Sequence, residues 1–341
     1  MIYFITVLRA LAACLITNSH YKGIYPLDII ANGGLLGDVI FFAVSGFCLA
    51  NVTEKFLPWF KKRVIRIYIP VAIVTVIFLA IAQFYEPISV YYNFDVDNVF
   101  LHYFIYPTEF HFVGSIILLY IPYYFVAKYI KKPKGLFTLA SVLTVVCVLV
   151  YVFIYDKSYY HIDVVREPFI RFLFFYAMLL GLLFRRLKDR LINKFRYVNL
   201  FASVVLFGAY FVTKFYFSRN ETVAELQSLQ ILNQLILLLL LYFVFALFIS
   251  MDSRLEALPK PIKRVIEFIA KITLEIYLVQ TPIIIFVRSL GLFFPLNWIV
   301  VTALIIISAL ALHKVSGYVI FLEKLCFEKA KEILISKTHK E

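Results

Sequence analysis

Apolar residues in this chain gather into runs of about twenty, and the polar and charged residues fall mostly between them. A run of that length crosses the hydrocarbon core of a bilayer as a helix. Ten are read, at 2–19, 33–52, 66–84, 111–129, 136–155, 169–185, 197–216, 230–250, 272–291 and 297–315. Helix-end punctuation separates them: Asn32-Gly33-Gly34 before the second run, Pro70 in the first turns of the third, Pro133 and Gly135 before the fifth, and Pro168 opening the sixth. The longest connection, 85–110, mixes Pro87, Asn93, Asp95, Asp97 and Pro107 with aromatic residues and reads as a partly structured cap. Beyond residue 318, Ile320, Phe321, Leu325, Phe327, Ile333 and Leu334 alternate with charges, the pattern of an interfacial amphipathic helix. The expected architecture is all-α: a polytopic integral membrane domain, 1–318, of about ten transmembrane helices, then a cytoplasmic amphipathic helix and tail, 319–341.

Composition agrees with a bilayer protein, since 63% of the 341 residues are hydrophobic against about 45–50% in soluble domains. No basic segment precedes the first run and no small-residue cleavage pattern follows it, so it is expected to stay as an uncleaved span. Loop charge gives orientation. Lys55, Lys61, Lys62, Arg63 and Arg66 follow the second run, Lys128, Lys131, Lys132 and Lys134 the fourth, and Arg185, Arg186, Lys188, Arg190, Lys194 and Arg196 the sixth. The alternate connections carry Glu86, Asp95, Asp97 and Glu109, then Asp156, Asp163 and Glu167, then Glu221 and Glu225. The excess of bases on cytoplasmic loops places the first set, and both termini, inside the cell. The net charge of +13 is then explained by topology and attraction to anionic lipid, and calls for no nucleic-acid partner. Cys14, Cys48, Cys147 and Cys326 are scattered and suggest neither a disulfide framework nor a metal site.

Charge inside the apolar runs points to chemistry, because an ionisable group there is expensive unless it pairs, lines a cavity or reacts. Arg9 and His20 are eleven residues apart, an advance of roughly 1100° and 16 Å on a helix, which puts both on one face. His20, at the expected outer end of the first run, can take a proton from a hydroxyl at neutral pH. Arg9 stays charged and needs an acid, a carbonyl array or a bound anion. Asp38 enters the second run and could orient His20 if the first two helices pack antiparallel; Ser45-Gly46 in the same run offers a small surface for helix approach. Arg63 and Arg66, at i,i+3, share a helix face and can present two guanidinium forks to phosphates. His111 leads the fourth run. Glu275 lies inside the ninth run near Tyr277 and Gln280; either it is protonated and hydrogen-bonded, or it answers an arginine such as Arg9.

These residues carry a resemblance. Arg9-x10-His20, the GDVIFFAVSGF stretch over 37–47, Arg63-x-x-Arg66 followed by Pro70, HFVGSIILLYIPYY from His111, FLFFYAMLLGLLF, and TLEIYLVQTPII from Thr273 occur in one order along nearly the whole apolar region. The chain resembles the membrane acyltransferase-3 family, multi-pass bacterial enzymes that acylate, usually acetylate, carbohydrates of the cell envelope. The resemblance implies a catalytic His20 with Arg9 below it, helped by Asp38, Glu275 and Tyr277. It also implies a donor site with Arg63 and Arg66 on acyl-CoA, supported by Ser45 and His111. Two positions depart from the family pattern: Phe112-Val113 follows His111 where many members have tryptophan, and Gln280 stands where many have histidine.

The implied reaction moves an acyl group from cytoplasmic acetyl-CoA, with succinyl-CoA the second choice, to a hydroxyl of an exported or cell-envelope polysaccharide at the bacterial plasma membrane. The pantetheine arm, on the order of 15–20 Å, is close to the Arg9-to-His20 rise, so the thioester could approach His20 while the nucleotide stays inside. His20 would act as general base or as an acyl-carrying nucleophile. The other expected partners are membrane lipid and the proteins that make or export the polysaccharide. No hydrolase-like extracellular domain is expected, so transfer is direct or is served by another protein. The alternative is a multi-pass transporter or exporter of a glycan or lipid-linked intermediate, in which buried charges are equally natural.

Overall fold

The computed structural model describes residues 2–92, 99–105, 110–164, 167–191 and 195–338. Its principal helices are α1 (Tyr3–Ser19), α2 (Gly34–Cys48), α3 (Phe56–Ala82), α4 (His111–Tyr129), α5 (Pro133–Phe153), α6 (Pro168–Leu191), α7 (Arg196–Arg219), α8 (Ile231–Ser250), α9 (Lys260–Lys271), α10 (Thr273–Ser289) and α11 (Leu296–Thr338). Each of the ten apolar runs falls on one of these helices, and α9 is the addition. Among the described residues, seven helices are long and apolar enough to cross a membrane, or eight if α9 and α10 form one broken span. The protein is therefore an all-α, polytopic membrane protein. Helix α1, at 17 residues, lies at the short end of the range of about 17–25 for a crossing helix. Helix α6 carries Arg171 near one end and Arg185, Arg186, Lys188 and Arg190 at the other.

Three boundaries differ from the pattern of apolar runs. Helix α3 starts at Phe56, ten residues before the apolar run, because Phe56 stacks on Phe60 at 5.3 Å and Trp59 is buried. Such i,i+3 and i,i+4 contacts extend a helix upstream. Pro70 consequently lies inside α3 and not in its first turns, where it removes one backbone hydrogen bond. Helix α6 continues through its basic end to Leu191. Helix α11 runs unbroken for 43 residues, roughly 64 Å and twice the hydrocarbon thickness, so the expected separate helix after 318 is its continuation. Of the expected cap over 85–110, Glu86–Ser89 is helical and Val99–Ile105 forms a π-helical turn. Tyr92 stacks on Tyr103 at 5.5 Å. Asn93, Asp95, Asp97, Pro107 and Glu109 lie outside the described residues.

The helices group into two compact units. The first comprises Met1–Ser19, Asn32–Glu54 and Ser115–Lys271. At its centre α2 packs on α1 and α6, with glycines where the backbones meet. A methyl group on Gly37 would come within 2.9 Å of the Ala12 carbonyl oxygen, one on Gly46 would overlap the carbonyl of Met178, and one on Gly181 the carbonyl of Ala43. Small residues at these points allow the close packing that associates helices in lipid. Phe42 and Phe174 stack face to face at 4.2 Å across the α2–α6 contact. The Asp252 carboxylate accepts the Phe4 backbone N–H at 2.9 Å, closing an open donor at the start of α1. A buried ion pair, Lys214 to Asp163 at 2.7 Å, is completed by the Asn32 side-chain oxygen, also at 2.7 Å.

The second unit comprises His20–Ala31, Lys55–Gly114 and Ile272–Glu341. Here α3, α10 and α11 pack on one another. The 20–31 segment is tied to α11 by Asn297, whose amide donates to the Ile24 carbonyl at 2.7 Å, and by Tyr21 and Thr302, whose hydroxyls lie 3.0 Å apart. Gly23, at φ +71°, turns this segment back on itself while its N–H donates to Asp28 at 2.7 Å.

Candidate active site

Arg9, Asp38 and Ser45 fall in the first unit, and His20, Arg63, Arg66, His111, Glu275 and Tyr277 in the second. In the first unit, Arg9 occupies the interior of α1, which ends at Ser19, one residue before His20. Its guanidinium reaches the Cys48 sulfur at 3.8 Å, and among the described residues no carboxylate lies within ion-pair distance of it. Asp38 stands in the first turns of α2 and is 5% exposed. That is a costly placement for a charge unless something answers it. Ser45 is half-buried, one residue before the Gly46 contact.

In the second unit, His20 is the residue directly after α1. It is half-buried, and burial lowers its pKa from the ordinary 6.5, so at neutral pH the imidazole is uncharged and able to accept a proton. Beside it, Ser19 donates to the Ile16 carbonyl at 2.7 Å, which ends the helix with its last polar side chain turned inward along the chain.

Glu275 has a partner that sequence reasoning missed. Nδ1 of His313 lies 2.7 Å from the Glu275 carboxylate, linking α10 to α11. The signal was a histidine near the end of the tenth apolar run, next to Lys314, a position where it passes for ordinary loop polarity. Tyr277, two residues further along α10, gathers the start of α4: its ring centroid lies 5.3 Å from Phe112 and 6.3 Å from His111, and its hydroxyl accepts the Phe112 N–H at 3.4 Å. An aromatic ring thus still meets Tyr277 at the position where tryptophan is common. Gln280, one further turn on, is 1% exposed, and neither its amide oxygen nor its nitrogen has a hydrogen-bond partner among the described residues. An unsatisfied buried amide costs about 1–3 kcal/mol.

The arginine pair is only partly as expected. Arg63 folds back along α3, donating to the Trp59 carbonyl at 2.6 Å with its guanidinium 4.0 Å over the indole ring. Arg66, one turn on, is exposed and makes no ion pair among the described residues. The two share a helix face, as i,i+3 spacing dictates, yet only Arg66 presents an open fork.

Comparison with curated proteins and with solved structures returns no match. The sequence profile described as an acyltransferase domain matches residues 2–313, a range that holds every candidate residue named above together with His313. The chain belongs to the membrane acyltransferase-3 family.

Proposed function

We propose that this membrane acyltransferase moves an acyl group, acetyl by preference, from cytoplasmic acyl-CoA to a hydroxyl of an exported or cell-envelope carbohydrate. His20 takes the proton of the acceptor hydroxyl. The oxygen attacks the thioester carbonyl, the C–S bond breaks, and the leaving thiolate is reprotonated. The observation that carries this reading is the placement of His20, a half-buried imidazole one residue beyond the helix that bears Arg9, where burial favours the neutral form that a general base needs. Glu275 and Tyr277 shape the wall that α10 offers, Arg9 and Asp38 serve from α1 and α2, and Arg66, with Arg63, Ser45 and His111, receives the donor. The topology that suits this reaction has ten crossings and both termini in the cytoplasm of a bacterium, with residues 1–318 as the catalytic domain. Thioester and sugar then arrive from opposite faces of the plasma membrane.

The test is mass analysis of the exported and surface glycans of host cells with and without the gene. A mass increment of one acetyl per repeat, present only with the gene, is expected; identical glycans that are exported at a different rate would favour transport.

A further inference from the structure

The first unit holds a second concentration of cations, at the basic end of α6. A cavity of about 660 Å³ is lined there by Lys131, Arg185, Arg186 and Lys188 against one carboxylate, Asp189, and by the segment that follows α2. None of the four cations is ion-paired among the described residues. Lys131 reaches only the Ala127 carbonyl of its own chain, at 3.1 Å, and the Arg185 guanidinium lies 5.3 Å from the Phe47 ring centroid. Nη1 of Arg186 is buried and has no acceptor. Asn51, Val52 and Thr53 also line the cavity, and their backbone N–H groups donate to no acceptor among the described residues.

Arg185 and Lys188 are like charges at i,i+3, which repel, and the buried guanidinium N–H adds an unmet donor. An anion rich in oxygen relieves both. The arginine fork matches a phosphate bidentately, while free backbone N–H groups supply further donors to it. The volume falls within the range of about 300–1,000 Å³ usual for small-molecule sites, and exceeds the needs of a single inorganic ion. We propose that this cavity binds the phosphate-ester head of a ligand, through Arg185 and Arg186 with Lys131 and Lys188 at the rim. Two sources share that chemistry: the nucleotide end of the acyl donor, a form of the proposal that rests on the function argued above and moves the donor's phosphates from Arg63 and Arg66 to this cavity, and the headgroup of an anionic phospholipid.

The test uses the full-length chain in nanodiscs. In one arm the lipid is phosphatidylcholine alone and the probe is 3′-phosphoadenosine 5′-diphosphate. In the other, phosphatidylglycerol is added and the retained lipid is counted by native mass spectrometry. Arg185→Gln with Arg186→Gln should weaken nucleotide binding, or lipid retention, by about tenfold or more. Lys131→Gln with Lys188→Gln, confined to the rim where packing is undisturbed, should act in the same direction, and added salt should weaken the unmodified protein's binding. Saturable nucleotide binding lost in both variants assigns the donor; lipid retention lost in both assigns the headgroup. Unchanged nucleotide affinity together with unchanged lipid retention in both variants overturns the proposal. Acyl transfer from labelled acetyl-CoA is measured alongside. Transfer with unaltered binding in the variants rejects the cavity and leaves the function standing, whereas binding without transfer does the reverse.

Discussion

The contact between Glu275 and His313 is the sharpest prediction about what holds the α10 wall in place. The 2.7 Å contact joins side chains that are 9% and 30% exposed; a hydrogen bond to a charged group contributes about 1.5–3 kcal/mol. Glu275→Gln removes the carboxylate and His313→Phe the ring nitrogens, each with side-chain bulk close to native, and together they close a double-mutant cycle. Measured by reversible unfolding in mixed micelles, each single change should destabilise by about 1.5–3 kcal/mol. The double variant should cost less than their sum, with a coupling of about 1–3 kcal/mol. Additivity within about 0.3 kcal/mol would show that the two side chains do not interact and that Glu275 answers some other group.

Other expectations follow from single features. Because burial lowers the His20 pKa below 6.5, the neutral base persists as pH falls through that value; the acid limb of the transfer pH profile should have its midpoint below 6.5, and a midpoint above it would contradict the role. Gly46→Ala and Gly181→Ala, whose added methyl groups meet backbone carbonyls of the facing helix, should each destabilise by about 1–3 kcal/mol or more. Gly208→Ala in α7, with nothing within 4 Å, should instead stabilise by about 0.5–1 kcal/mol. Equal thermal shifts for the three would show that the α2–α6 approach is not close.

Much of this was legible in the sequence, for a physical reason: a segment that must satisfy every backbone group inside lipid has little choice but helix, so apolar run length alone located the elements. The charges that stood out inside those runs, Arg9, Asp38 and Glu275, stood out because their cost in an apolar setting is large. What escaped depends on side-chain direction. Nothing in the i,i+3 spacing of Arg63 says that its guanidinium will lie on Trp59, since an indole one turn upstream competes with any ligand for the same fork. His313 escaped because it lies beside Lys314, where a polar pair reads as the end of a span. The partnership of Gly46 with Gly181 joins residues 135 positions apart in the chain, and becomes visible only when two backbones touch. The segment from Phe56 to Arg66 joined α3 through aromatic contacts between neighbouring turns that a hydropathy pattern does not register.

The most direct measurement is acyl transfer by purified chain in proteoliposomes, from labelled acetyl-CoA to the glycan of its host, comparing the native protein with His20→Ala at matched thermal stability. A general base contributes about 10²–10⁴-fold, so label transfer should fall by at least about a hundredfold while the protein stays folded. Transfer by the variant within about twofold of the native rate would contradict the assignment of His20 as the base, and with it the mechanism.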